Sequence, residues 1–328
     1  VYIYTMILKN KKVAVLGGAG LIGSYLVELL VFKGHKVVVI DDFSKGKREN
    51  LKKVKKKINI RVINLENYKN LHKILKDCNV IFHLASRAYG IGYSKNNHSK
   101  IFKHNEKITN NLIKCLSKIK VDYFQCVSSS CVYDDNGPRK IAEEINPKGM
   151  PEKANLGYGN AKRSLEKKLT KCSKVYKFPL SIVRPFNIYS ERYNWLGNNS
   201  QAIPMIIKKV MESKNQLEIW GSGKQRRNYL HAKDCAEIMY KIYKKKFTKS
   251  PVNIGYEDTV SLKELTKKIC YLANKSLEII YNLNKPEGRF IKSSNSKLLK
   301  KVTSNYKPKI KLDKGLLYMI GWYKKNFK

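Results

Sequence analysis

Short apolar runs rich in β-branched residues alternate with amphipathic stretches through the first half of the chain. The apolar runs cover residues 13–16, 37–40, 58–63, 80–84, 124–127 and 180–183. Helical patterns such as 21–32 and 101–119 lie between them. Strands that are apolar throughout and separated by helices indicate a parallel sheet covered on both faces. The pattern therefore predicts an α/β fold with a doubly wound, Rossmann-type parallel sheet, whose ligands bind beyond the carboxyl ends of the strands.

The rhythm of the chain changes after about Pro185. Short apolar strands at 217–220, 252–254 and 277–281 mix with helical patterns at 203–211, 232–243 and 262–272. We therefore expect a Rossmann domain over residues 1–185 and a smaller α/β substrate-binding lobe over residues 186–328. The chain can cross between these two lobes more than once.

The composition is typical of a folded cytoplasmic protein. Hydrophobic residues make up 42% of the 328 residues, which is enough for a sizeable core. No apolar run approaches the ~20 residues of a membrane span, and residues 1–8 lead into Lys9 without the cleavage site of a secretory signal. The seven cysteines form no C-x-x-C pair and no metal-ligand spacing with histidine, so we expect reduced thiols and no metal site.

The net charge is unusually high, at +42 from 67 Lys and Arg against 25 Asp and Glu. Such a charge raises the hypothesis of a non-catalytic Rossmann protein that binds RNA. However, the lysines are spread over nearly every segment and form no stripe interleaved with aromatic residues. We therefore favour a solvated basic surface whose field attracts an anionic substrate, and keep RNA binding as the alternative from another functional class.

A glycine-rich turn follows the first predicted strand. Gly17, Gly20 and Gly23 form G-x-x-G-x-x-G at the start of a predicted helix, where glycines allow a tight turn and close approach to a pyrophosphate. Asp41 ends the second predicted strand, where its carboxylate can accept hydrogen bonds from the adenosine ribose and repel a 2′-phosphate. NAD is therefore the expected cofactor. The basic residues that leave NADP open are Lys45, Lys47 and Arg48.

A tyrosine and a lysine four residues apart begin the helix predicted over residues 158–169. A tyrosine can remove a proton from a sugar hydroxyl if a nearby ammonium lowers its pKa, and the spacing places Tyr158 and Lys162 on one helix face. The strand at 124–127 ends in a serine run, and Ser129 there can hydrogen-bond the same sugar oxygen. This context singles out Tyr158, because the same Y-x-x-x-K pattern begins at Tyr229, Tyr240, Tyr271 and Tyr281.

These motifs together resemble the extended short-chain dehydrogenase/reductase family, essentially from end to end. The segments that carry the resemblance are 17–23, 83–86, 129–133, 158–162, 184–189, 220–223, 227–231 and 252–255. The resemblance implies that Tyr158 is the base at C4 of a nucleotide sugar, that Lys162 lowers its pKa and that Ser129 holds the 4-oxygen. It also implies a homodimer formed through helices near 101–119 and 158–171. The residues that it adds to the NAD site are Leu21, Ile22, Leu84 and Ala85, beside Tyr158 and Lys162.

Within that family the chain most resembles the GDP-mannose 3,5-epimerases and, less closely, the GDP-fucose synthases. The segments that mark this similarity are 90–92, 97–99, 129–131 and 286–289. In both groups the cysteine matching Cys131 takes part in proton transfer at carbons beside a transient 4-ketone, a role open to a thiol with a pKa of about 8.5. The second acid/base residue of these enzymes is not matched, because Leu196 and Gln201 stand at the two positions. Cys131 as a small packing residue is the alternative.

The same resemblance implies the substrate anchors and the reaction. A nucleoside diphosphate needs cationic forks, and family position implies Arg227 and Arg289 for the diphosphate, with Asn187 and Gly90 also at the substrate. We therefore expect an NAD-dependent epimerase of a GDP-sugar that exchanges a proton at C3 or C5. A nucleotide-sugar 4-epimerase with an inert Cys131 is the enzymatic alternative. Elimination and decarboxylation are disfavoured, because relatives that catalyse them carry an acidic residue just after the catalytic Ser or Thr.

Overall fold

The computed structural model describes residues 12–195, 200–285 and 287–327. Two residues singled out in the sequence, Leu196 and Pro286, lie outside the described residues, as do residues 1–11. The strands are β1 (Lys12–Leu16), β2 (Lys36–Asp41), β3 (Ile58–Val62), β4 (Val80–His83), β5 (Tyr123–Val127), β6 (Lys140–Ile141), β7 (Leu180–Pro185), β8 (Ile188–Tyr189), β9 (Gln216–Trp220), β10 (Arg226–Arg227), β11 (Leu230–His231), β12 (Val252–Ile254), β13 (Val260–Ser261), β14 (Glu278–Asn282) and β15 (Ile291–Ser294). The helices are α1 (Gly23–Phe32), α2 (Tyr68–Leu75), α3 (Ile91–Ser94), α4 (His98–Leu116), α5 (Leu156–Val175), α6 (Ala202–Glu212), α7 (Ala232–Lys244), α8 (Leu262–Leu272), α9 (Lys297–Thr303) and α10 (Leu312–Phe327). Further 3₁₀ turns cover Arg48–Lys57, Ser130–Val132 and Lys153–Asn155.

A parallel sheet in the order β12-β7-β5-β4-β1-β2-β3 forms the centre of the molecule. Side chains of β1 alternate between its two faces, as the period of a strand requires. Val13 and Val15 pack into a core that includes α1 and α7, whereas Ala14 and Leu16 pack into a core that includes α4 and α5. Both faces are therefore covered by helices, and the predicted doubly wound α/β fold is confirmed.

The strand order reverses between β1 and β4, which lie side by side although two strands separate them in the chain. In open α/β sheets the loops after two such strands diverge to opposite faces and leave a crevice at the carboxyl edge. The loops after β1, β2, β4 and β5 meet at this edge. The fold thereby brings the glycine turn and the serine run to one place.

A second, smaller core lies between α6, α8 and α10 and the parallel pair β9–β14. Trp195 is buried there and stacks on Trp322, with ring centroids 5.0 Å apart. The chain returns from this part to the large sheet, because α7 packs in the core with α1, and β12 pairs with β7.

A mixed sheet in the order β13-β10-β15-β6 connects the two halves of the chain. β15 pairs in parallel with β6 on one side and with β10 on the other. This pairing brings a strand from near the C-terminus against the segment that follows β5. None of the helices within the described ranges is long and apolar enough to cross a membrane.

Candidate active site

The glycine turn between β1 and α1 is packed too closely for side chains. Gly17 has a φ of +78°, and a Cβ atom there would lie 2.7 Å from the backbone nitrogen of Ala85. A Cβ atom on Gly23 would lie 2.1 Å from the carbonyl oxygen of Gly17. The residue at the N-cap of α1, Ile22, offers no side-chain cap to the first helical N–H groups. The turn lines the cavity, and the start of α1, which has no side-chain cap, is the kind of site that binds a pyrophosphate.

Asp41 lies at the carboxyl end of β2 beside this turn. Its Oδ2 accepts a hydrogen bond from the backbone N–H of Ala19 and its Oδ1 one from that of Phe43, both at 2.9 Å. Burial raises the pKa of Asp41, while these two hydrogen bonds act against the rise. Each carboxylate oxygen has a further lone pair for a ribose hydroxyl. The residues present therefore fit the adenosine end of NAD.

The basic residues after Asp41 already have partners in the protein. Lys45 donates to the carbonyl oxygen of Ala88, and its Nζ lies 4.0 Å from the ring centroid of Tyr89. Burial, followed by the charge of Arg87, lowers the pKa of Lys45 to about 8. Arg48 and Lys47 lie over the rings of Phe43 and Trp322, at 4.3 and 5.6 Å.

A single cavity of about 850 Å³ runs from the glycine turn to residues of α6 and β9. Its volume lies in the range of small-molecule and cofactor sites, about 300–1,000 Å³. The residues singled out in the sequence that line it are Gly17, Gly20, Leu21, Ile22, Gly23, Asp41, Leu84, Ala85, Gly90, Ser129, Cys131, Tyr158, Asn187 and Arg227. Lys162 and Arg289 are not among the residues that line this cavity.

Tyr158 and Lys162 lie on α5, with the lysine behind the tyrosine. Lys162 is 2% exposed, its Nζ donates to the carbonyl oxygen of Val127 at 2.8 Å and lies 5.6 Å from the ring centroid of Tyr158. Burial raises the pKa of Tyr158, against the effect of hydrogen bonds with Ser86 and Ser129. The lowered pKa expected from the sequence is thus not produced by the residues of the chain alone. The positive charge of an oxidised nicotinamide acts in the required direction.

Ser129 follows β5 and begins the 3₁₀ turn that carries Cys131. Its hydroxyl accepts a hydrogen bond from the backbone N–H of Cys131 at 3.1 Å. Ser129, Cys131 and Tyr158 all line the cavity, and Tyr158 interacts with the other two, so a hydroxyl, a thiol and a phenol meet at one part of its wall.

Two charged residues that the sequence analysis missed lie against Cys131. The Nζ of Lys292 donates to Oε2 of Glu152 at 2.8 Å, and the thiol of Cys131 donates to the same oxygen at 3.2 Å. Glu152 and Lys292 are 5% and 4% exposed, and both line the cavity. From the sequence, an acidic residue is expected to matter only directly after Ser129. The fold instead brings the Glu152 carboxylate against Cys131 from elsewhere in the chain.

The two arginines proposed for the diphosphate differ in their surroundings. Arg227 lines the cavity, and its described hydrogen bonds, to the carbonyl oxygens of Arg226 and Phe290, both come from Nη1. Arg289 instead directs its guanidinium to backbone carbonyl oxygens, which are those of Asp134, Gly137, Pro138 and Ile291. The cavity therefore offers Arg227, and not Arg289, to an anionic ligand.

Two further positions singled out in the sequence, Asn187 and Gln201, also line the cavity. Asn187 has a φ of +38°, and its Nδ2 donates to Oδ1 of Asn228 at 3.2 Å. Gln201 lines the cavity at the N-cap of α6. Gln201 is neutral, and the other unmatched position, Leu196, lies outside the described residues.

Replacing Gly23 with alanine is expected to weaken NAD binding about ten- to a hundredfold, because overpacking typically costs about 1–3 kcal/mol. The added Cβ would push on the Gly17 carbonyl and reshape the turn. Calorimetric titration with NAD measures the effect. G321A is the matched control, since a Cβ at Gly321 meets no atom within 4 Å. Wild-type NAD affinity in folded G23A would contradict the assignment of the turn.

Comparisons with known proteins agree with this geometry. The model of the NAD dependent epimerase/dehydratase family matches residues 13–255. GDP-mannose 3,5-epimerase of Arabidopsis thaliana is 27% identical over 96% of this chain and 83% of its own length. UDP-N-acetyl-alpha-D-glucosaminuronate decarboxylase of Bacillus cytotoxicus is 28% identical over 96% of this chain and 98% of its own length. Among solved structures, UDP-glucose 4-epimerase of Thermotoga maritima superposes with a TM-score of 0.85 at 24% identity, covering 97% of this chain and 100% of that chain.

Proposed function

Because the chain belongs to the NAD-dependent epimerase/dehydratase family, we propose that it is an epimerase of a GDP-sugar. The sugar is oxidised transiently at C4 and inverted at C3 or C5 by proton exchange. The observation that carries the proposal is the convergence of Ser129, Cys131 and Tyr158 in the cavity that also contains the glycine turn. The similarity to GDP-mannose 3,5-epimerase supports GDP as the nucleotide.

Three residues of the chain have separate roles in the oxidation at C4. The glycine turn and Asp41 would hold NAD, which would supply the hydride acceptor and donor for C4. Tyr158 takes the proton of the C4 hydroxyl, and Ser129 donates a hydrogen bond to the same oxygen. Lys162 holds its ammonium behind the Tyr158 ring through its hydrogen bond to Val127, and there it favours the phenolate.

Proton exchange at C3 or C5 uses the acidity that the 4-ketone confers on its neighbours. The thiol of Cys131 is the group at the site that can take up such a proton as a thiolate. Removal and return of a proton at one of these carbons inverts it without net redox change. Arg227 binds the diphosphate in this proposal, and Asn187 contacts the phosphate or the sugar.

The second candidate is a nucleotide-sugar 4-epimerase in which the keto sugar rotates and Cys131 stays inert. Burial raises the pKa of Cys131 to about 11, which favours an inert thiol. Structural neighbours that bear this activity in their names, including UDP-glucuronic acid 4-epimerase from Bacillus cereus, support UDP-sugars as substrates. Solvent hydrogen enters carbon in the first reaction and not in the second.

We further propose that the protein acts as a cytoplasmic homodimer. All seven cysteines are free thiols, as in a reducing compartment. The helices expected at the interface, α4 and α5, lie side by side on the same face of the large sheet.

Incubation of the protein with GDP-mannose in deuterium oxide, followed by NMR, tests the proposal. We expect deuterium at C3 or C5 without added reductant, and we expect Cys131→Ser to abolish its incorporation while NAD stays bound. C126S is the control, since Cys126 is a buried cysteine of β5 that does not line the cavity. Inversion at C4 without deuterium would favour the second candidate. No turnover of GDP-, UDP- or dTDP-sugars would contradict both.

A further inference from the structure

A buried carboxylate joins a thiol and an ammonium at the sugar end of the cavity. Oε2 of Glu152 accepts hydrogen bonds from both Cys131 and Lys292, and the Nζ of Lys292 lies 3.5 Å from the sulfur of Cys131. The carboxylate oxygen, the sulfur and the ammonium nitrogen thus lie within 3.5 Å of one another. Glu and Lys side chains are almost never buried without a partner. Here Glu152 and Lys292 are buried together and line the cavity.

The three residues come from separate parts of the chain. Cys131 lies in the 3₁₀ turn after β5, and α5 packs on that turn so closely that a Cβ on Gly159 would lie 2.6 Å from the Cys131 carbonyl oxygen. Glu152 immediately precedes the 3₁₀ turn that leads into α5. Lys292 lies in β15, which is paired on both edges by β6 and β10. The bridge between Asp134 and Pro151 fixes the chain next to Glu152.

The charges around Cys131 oppose one another. Burial raises the pKa of its thiol to about 11, with Lys292 lowering it and Glu152 raising it further. Burial would raise the pKa of Glu152, but the charge and hydrogen bond of Lys292 lower it to about 2. Tyr158 and Arg227 also face the triad, and Arg289 acts on Glu152 from farther away. A carboxyl group ionised so strongly is a poor acid for elimination at neutral pH.

We infer that Glu152 and Lys292 are positioning residues for Cys131 and form with it a buried acid/base triad that serves proton exchange at the sugar. The inference rests on the proposed function, because it gives the triad a purpose at C3 or C5. It also gives Cys131 two charged partners at the site, where neither Leu196 nor Gln201 can supply a proton.

The proton exchange balances between the thiol, the solvent and the sugar. The S–H bond of Cys131 breaks and its proton passes to solvent, which leaves a thiolate that the Lys292 ammonium stabilises, while Glu152 stays ionised. The thiolate then takes a proton from the carbon beside the 4-ketone, so that an S–H bond forms and the C–H electron pair becomes part of an enolate. The return steps run in reverse, and no oxidant or reductant takes part in them.

The test measures the thiol itself, in the full-length protein with NAD bound and without any sugar. Cys131 is the only one of the seven cysteines that is not buried, so iodoacetamide should reach it first. The rate of its alkylation is followed from pH 7 to 9.5 by mass spectrometry of the Cys131 peptide. At a fixed pH this rate is proportional to the thiolate fraction.

Substitutions of Lys292 and Glu152 are expected to shift the pKa of the Cys131 thiol in opposite directions. Lys292→Met removes the charge that stabilises the thiolate, so the thiol pKa should rise by about 1–3 units and alkylation should slow at least about tenfold. Glu152→Gln removes the opposing charge, so alkylation should become faster. K292R, which keeps the charge, should stay near the wild-type rate, and the K292M/E152Q double variant should fall between the single variants.

Opposite shifts together with near-wild-type K292R would establish the triad. Equal alkylation profiles for the wild type, E152Q and the double variant would overturn it, even if K292M alone failed to fold with an unpaired Glu152. Because no substrate is present, this result is separate from the proposed function. Correct thiol shifts without deuterium in any product would leave the triad in place and remove only the epimerase reaction.

Discussion

Replacing Tyr158 with phenylalanine is expected to lower kcat by about 10²–10⁴-fold, the range that general acid–base groups contribute. The change removes the phenol oxygen that takes the C4 proton and leaves the ring on which α5 packs. Lys162 keeps its hydrogen bond to Val127, so the cofactor site should keep its shape. The measurement is the rate of sugar turnover by NMR, with the NAD content of each preparation determined alongside.

Tyr240→Phe is the matched control for this prediction. Tyr240 also begins a Y-x-x-x-K pattern and is half-buried, but it lies on α7 beside His35, outside the cavity. We expect Y240F to turn over the substrate at nearly the wild-type rate. A folded, NAD-containing Y158F enzyme with full activity would remove Tyr158 from the mechanism and leave the acid–base chemistry to Cys131.

Much of the fold could be predicted because its signals are local and periodic. The central strands are mostly apolar, and the alternation of Val13 and Ala14 between two cores follows from the pleat of any strand. The two C-terminal helices, α9 and α10, were not predicted. The signal for α10 is nonetheless present, since its buried residues fall at helical spacing: Leu316, Met319, Ile320 and Tyr323.

The candidate site divides in the same way between local and distant signals. The glycine turn and the Tyr158–Lys162 pair each lie within a few residues of chain, so spacing alone predicts their chemistry. Glu152 lies 21 residues from Cys131 in the chain. Lys292 lies a further 140 residues from Glu152. Lys292 is also one of 67 basic residues in the chain. The pairing of β15 with β6 brings these parts of the chain together. A pairing between two such short and distant strands cannot be predicted from a periodic sequence pattern.

A buried ion pair includes Arg184, the first residue of the segment 184–189 that carries part of the family resemblance. Arg184 is 0% exposed, and its Nε donates to Oε1 of Glu166 at 2.8 Å. Its Nη1 donates to the hydroxyl of Tyr133 at 2.9 Å, and that hydroxyl donates to Asn253 at 2.6 Å. Glu166 lies on α5, so this network joins the helix that carries Tyr158 to β7 and β12.

Replacing Arg184 with methionine is expected to lower the free energy of unfolding by about 3–5 kcal/mol, because it leaves Glu166 buried without its cation. Urea unfolding of the NAD-bound protein, followed by circular dichroism, measures the loss. The exposed Arg61 of β3 supplies the control R61M, which should change stability by less than about 0.5 kcal/mol. The double variant R184M/E166L should recover part of the loss, since an apolar pair of similar volume carries no unpaired charge. If R184M and R61M unfold at the same urea concentration, the Arg184–Glu166 pair does not hold α5 to the sheet, and the position of Tyr158 must depend on the apolar packing of α5 instead.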